Sequence, residues 1–181
     1  MPLVGKVLRA RLNTVFPANV LFGDIVKGLP VKENSCAGVY ASHVLEHLAL
    51  LDFRAALQNT YRILQPGGTF RCIVPDLEYS ARKYLQGLEN GYEEASLDFI
   101  DCDLLLGLKK RPKGVIEKIT YLWSNLHHSW MWDAKSMAKE LRNCGFREIH
   151  LCKYIDSEDP MFKLVEDADR FKNSVAFDCK K

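Results

Sequence analysis

Apolar residues at Leu3, Val4, Val7, Leu8, Leu12, Val15 and Phe16 recur at helical spacing, which predicts an amphipathic helix ending at Pro17. Asn19-Val20-Leu21-Phe22 is a short apolar run closed by Gly23-Asp24, read as a buried strand. Val26 to Ser35 is loop, broken by Gly28, Pro30 and Asn34. Gly38-Val39-Tyr40-Ala41 predicts a second strand. From Asp52, placed to cap it, a helix buries Phe53, Ala56, Leu57, Thr60, Tyr61 and Leu64. Gln65-Pro66 stops that helix, and Gly67-Gly68 turns the chain.

Thr69 to Val74 predicts a third strand, ended by Pro75. Leu77, Ala81, Tyr84, Leu85 and Leu88 mark the next helix. Residues 92–126 read as one or two more helices, with a solvated basic break at 109–113. Asp133 caps a helix with Ala134, Met137, Ala138 and Leu141 inward, ending at Gly145. Phe146 to Cys152 and Ser174 to Cys179 are the last two strands, the latter with Val175, Phe177 and Cys179 alternating.

Short strands between amphipathic helices predict one α/β domain over residues 1–181: a Rossmann-like, mostly parallel sheet with helices on both faces. No full helix separates the last two strands, so the final strand is expected to pair antiparallel. Ligands in such sheets sit beyond the carboxyl ends of the strands. That rule selects Gly23-Asp24, Ser42-His43 and Pro75-Asp76, expected to line one edge.

Composition narrows the classes. A net charge of +2 gives no argument for nucleic acid, and no apolar run has transmembrane length. The six cysteines form no C-x-x-C pair and lie mostly in apolar stretches, which points to buried free thiols in a reducing, cytoplasmic setting. Lys6, Arg9 and Arg11 without an acid is also the pattern of a transit peptide or membrane-surface helix. The run through Pro17 into a strand-like segment points instead to a domain helix.

GDIVKGLP, then NSCAGVYASHVLEHL, then YRILQPGGTFRCIVPDLE resembles the class I S-adenosylmethionine-dependent methyltransferases, in the methyltransferase-11-like group. HSWMWDAKSMAKELRNCGFREI is similar to that family's late helix and penultimate strand. The resemblance spans roughly residues 19 to 152. It departs in two places. No glycine-rich G-x-G-x-G turn is present, and Ala37 stands where the family usually has an acid. The fold expected is therefore an N-terminally truncated form of the family's domain.

The resemblance implies S-adenosylmethionine as cofactor and methyl transfer to a small-molecule or glycan acceptor. It places Asp24, with Gly23 and Ile25, at the adenine, and Ala41, Ser42 and His43 at the amino-acid end. A turn-forming Asx residue is the alternative for Asp24. His127, His128 and Asp76 are candidate general bases for the acceptor. The alternative for the histidines is a helix-end pair bonded to backbone. Trp123, Trp130 and Trp132 are either an aromatic wall or core.

Two further readings stand beside this one. His43-Val44-Leu45-Glu46-His47 spells the H-x-x-E-H zinc-protease motif. That motif needs a helix, and here it directly follows the strand-like VYAS, so no metal is expected. The other reading is a non-catalytic remnant that binds a partner or itself through an exposed sheet edge, as in a homodimer.

Overall fold

A computed structural model describes residues 20–107, 110, 113, 114 and 127–181. Strands β1 (Cys36–Ser42), β2 (Leu64–Pro75), β3 (Arg147–Leu151) and β4 (Ser174–Lys180) form one sheet in the order β1-β2-β4-β3. β1 and β2 are parallel, and β4 runs antiparallel to both β2 and β3. The helices are α1 (Leu50–Ile63), α2 (Leu77–Glu89), α3 (Ala95–Asp98), α4 (Ala134–Cys144), α5 (Pro160–Lys163) and α6 (Ala168–Phe171). A 3₁₀ turn covers Leu45–His47, and a π turn covers Phe99–Asp103.

The core follows the predicted stripes. Phe53 and Leu57 of α1 and Met137 and Leu141 of α4 pack on Phe70, Cys72 and Val74 of β2, with Phe177 and Cys179 of β4. Asp133 caps α4 through the Lys135 and Ser136 amides, and Gly145 closes it at φ 109°. That left-handed conformation suits glycine.

The opposite face is covered by the 152–173 connection. Arg71 of β2, fully buried, is held there by Glu166, Asp156, Asp178 and the Lys153 carbonyl. Helices therefore flank both faces, but on this one they are the single turns α5 and α6.

Three expectations change. Val20, Leu21 and Phe22 form no strand and are 52%, 83% and 91% exposed, because no described strand lies beside them to take their hydrogen bonds. Helix α1 begins at Leu50 with Ala49 as N-cap, so Asp52 lies in its first turn rather than capping it. The Pro66-Gly67-Gly68 stretch does not reverse the chain. It is a bulge at the start of β2, where the register jumps from Cys36↔Leu64 to Gly38↔Thr69. The Gly67 amide and Gly68 carbonyl there bond Lys181. A Cβ on Gly68 would meet the Gln65 carbonyl at 2.9 Å and those of Ala37 and Cys36 at 3.1 Å. The helix expected over 3–16, Asn19 and much of 92–126 lie outside the described residues.

Candidate functional site at the strand ends

The carboxyl ends of β1 and β2 form a rim. Ser42 pairs with Ile73, and the His43 amide donates to the Ile73 carbonyl at 3.0 Å. His43 then takes φ 52°, a left-handed conformation uncommon outside glycine, and the chain swings from the strand into the 3₁₀ turn. The turn is too short to be the helix a zinc-protease motif requires.

A distant segment closes on this turn. The amides of Ser129 and Trp130 both donate to the Glu46 carbonyl, at 2.7 and 3.0 Å, and Ser129 Oγ donates to the His47 carbonyl at 3.0 Å. These bonds bring His128 onto the motif. The His47 and His128 rings meet edge to face, with centroids 5.1 Å apart.

Glu46 lies at the centre, 1% exposed, and neither carboxylate oxygen has a hydrogen-bond partner. His43 Nδ1 stands 3.4 Å and His47 Nε2 3.7 Å from Glu46 Oε1. His128 is also buried, and its Nδ1 has no partner. Glu46 raises the pKa of His43 above the usual imidazole value, against the effect of burial. Burial lowers that of His128, and the Glu46 charge opposes this only in part.

The candidates read from sequence divide between places. Ala41 lies in β1 against the core, and Ser42 Oγ is buried with no hydrogen-bond partner. Asp76 stands at the end of β2, beside the same rim, but its carboxylate caps α2 through the Glu78 amide at 2.9 Å. His127 Nδ1 donates to the Leu105 carbonyl at 3.1 Å. Of the tryptophans, Trp132 is core, its ring tilted against Phe53 with centroids 4.3 Å apart, while Trp130 is 42% exposed. Trp123 lies outside the described residues.

Gly23, Asp24 and Ile25 are held elsewhere. Asn59 donates to the carbonyls of Ile25 and Val26, near the last turn of α1. That end of α1 bonds Asn34 and Ser35, ahead of β1, so it faces the amino ends of the strands. Asp24 Oδ1 accepts the Val26 and Lys27 amides in an Asx turn, and Oδ2 pairs with Lys27 Nζ at 3.2 Å. Gly23 packs on the Leu29 side chain. The three predicted pairs therefore do not share one edge.

Nothing in the sequence joins Glu46 and His47 to His128. The letters E-H were visible, but a contact across more than 80 residues has no local signal.

Residues 11–151 match the model of a methyltransferase domain family. No curated protein matches the chain. Among solved structures, a SAM-dependent methyltransferase of Thermotoga maritima is similar at 16% identity and a TM-score of 0.52, over 99% of this chain and 70% of that one. PigF, solved with SAH, is similar at 16% identity and a TM-score of 0.51, over 100% of this chain and 42% of that one. A Haloferax volcanii methyltransferase in complex with a methyltransferase activator gives 18% identity and a TM-score of 0.48, over 96% of this chain and 66% of that one. The chain thus spans between 42% and 70% of the length of these three proteins. On the family match, which covers most of its length, the chain belongs to the methyltransferase domain family, with the open Rossmann-like sheet of the class I S-adenosylmethionine-dependent enzymes.

Proposed function

We propose that this chain serves S-adenosylmethionine-dependent methyl transfer to a small-molecule or glycan acceptor. The family match over residues 11–151 carries this reading. Bound S-adenosylmethionine supplies a methyl group on a sulfonium, open to in-line displacement once donor and acceptor are aligned. The chain's residues suit that cofactor at one end. Ser42 Oγ, buried and unbonded, beside Ala41 and His43, would hold its amino-acid portion. Asp24 and Ile25 do not suit its adenine as they stand, because both are bound into their own loop near the last turn of α1.

The acceptor side falls to the histidine cluster. His128 alone among the three candidate bases offers a buried nitrogen without a partner, which is a place to receive a proton. The His128 ring meets that of His47 edge to face, beside the turn that follows β1. Titration calorimetry of the full chain with S-adenosylmethionine tests the cofactor reading. Saturable heat that is reduced in Ser42→Ala supports it, and no heat at millimolar ligand sinks it.

A second reading rests on the sheet. β1 is an edge strand among the described residues, hydrogen-bonded to β2 alone. An open edge of this kind can accept another strand, so a self-pairing or partner-binding module is the alternative role. Sedimentation over a range of concentrations separates the two, since a strict monomer argues against edge pairing. No described helix is long and apolar enough to cross a membrane.

A further inference from the structure

We propose that Glu46, His47 and His128 form a binding site for a divalent cation of the zinc type. One ligating atom from each lies within 4.8 Å of the other two. The set differs from the one the H-x-x-E-H letters suggest, because its third member comes from the far side of the sequence.

Proton placement carries the inference. A backbone carbonyl can only accept, so any ring nitrogen bonded to one must carry the hydrogen. His47 Nδ1 is 3.1 Å from the His127 carbonyl oxygen, which leaves Nε2 as the lone pair, and Nε2 is the atom facing Glu46. His128 Nδ1 is buried and makes no hydrogen bond. In the tautomer with its hydrogen on Nε2, Nδ1 offers a free lone pair. His43 Nε2 is 2.8 Å from the Arg170 carbonyl oxygen, which fixes that ring the same way.

In their neutral forms the rings turn lone pairs toward Glu46, whose ionised carboxylate has only lone pairs as well. Such a cluster repels itself unless a cation stands within it. Histidines anchored through one N–H to a carbonyl, with the other nitrogen free, match the arrangement that orients metal-ligating imidazoles. Two nitrogens and one carboxylate oxygen suit zinc better than magnesium, which prefers an all-oxygen shell.

The fit needs a small adjustment. Ligand atoms about 2 Å from a tetrahedral ion sit about 3.3 Å apart, so the widest pair must close by at most about 1.5 Å. The Glu46 carboxylate is free to move toward the rings, as no hydrogen bond holds it. Three protein ligands leave a fourth position open at the end of β1. An ion there takes the lone pair that His128 would otherwise offer as a base, so the two roles belong to different forms of the protein.

The inference does not rest on methyl transfer, and its test reads binding alone. Chelator-stripped full-length protein is titrated with Zn²⁺, and separately with Mg²⁺, by calorimetry. One Zn²⁺ per chain is expected, weakened on the order of 100-fold or more in Glu46→Gln and in His128→Ala, and unchanged in His150→Ala on β3. Side-chain nitrogen NMR of the wild-type protein covers the case in which a variant fails to fold. Zn²⁺ should shift His47 and His128 resonances and leave His150 in place. Absence of saturable Zn²⁺ binding, or binding indifferent to both substitutions, would overturn the site.

Discussion

Arg71 and Glu46 are each withdrawn from water, at 0% and 1% exposure, and the protein treats them in opposite ways. Arg71 spends its donors on Glu166, Asp178, Asp156 and the Lys153 carbonyl, with the Phe171 ring 5.6 Å from its guanidinium carbon. Burial alone would pull its pKa down, and the facing carboxylates reverse that, so it stays charged. The Glu46 carboxylate has imidazoles near it and no hydrogen bond. A buried charge costs several kcal/mol unless paired and bonded. The first cluster gives Arg71 an acceptor at Nε, Nη1 and Nη2, and pins the 152–173 connection to the sheet. The second is left open at a strand end, where this fold class places its ligands.

The contrast can be broken by substitution. Arg71→Met should have the largest effect, because it strands Glu166 and Asp178 without their counter-charge. A loss of about 3–5 kcal/mol is expected in urea unfolding; a loss below about 1 kcal/mol would show that the cluster is not the pin described here. Glu166→Gln comes next. Glu166 accepts from both Arg71 and the Ile155 amide, and a glutamine must turn its NH₂ toward one of those donors. About 1–3 kcal/mol should be lost.

The exposed Arg54–Glu140 fork, at 2.8 and 2.9 Å, is the reference for a charge pair near water. Arg54 holds the Glu140 pKa below its usual value of 4.5. A depressed carboxyl stabilises the fold above the unfolded value and loses that contribution as pH falls through the folded one. Arg54→Met should therefore cost a little stability at neutral pH and nothing once Glu140 is protonated, which paired melts at the two pH values would read.

Glu46→Gln should have the smallest cost and can raise the stability of metal-free protein. The amide removes a buried charge and brings N–H donors to the His47 and His128 lone pairs. A loss comparable to that of Arg71→Met would mean that Glu46 is already satisfied, and the comparison would fail.

Much of the scaffold was legible because it is local. Met137 and Leu141 share a helical face with a cap before them and a glycine after them. The third and last strands, and the antiparallel pairing of the last one, also follow from short-range patterns. Val20 to Phe22 misled because an apolar run reads as a strand, while a strand also needs a neighbour to bond it. The Gly67-Gly68 pair signalled a turn, but it lies in a bulge opposite Cys36 and Gly38 of β1 and bonds Lys181, all distant along the chain.

The site was less legible for the same reason. The sequence by itself determined the strand-end position of Ser42 and His43, the helix faces and the resemblance to the methyltransferase family, since periodicity, punctuation and adjacent motifs are properties of neighbours along the chain. Only the tertiary structure decided that Asp24 closes its own turn near the last turn of α1, that Arg71 is satisfied, and that His128 meets Glu46 and His47. Those outcomes depend on which backbone carbonyls lie within reach once the chain has folded, and hydrogen bonds over such separations leave no period to read.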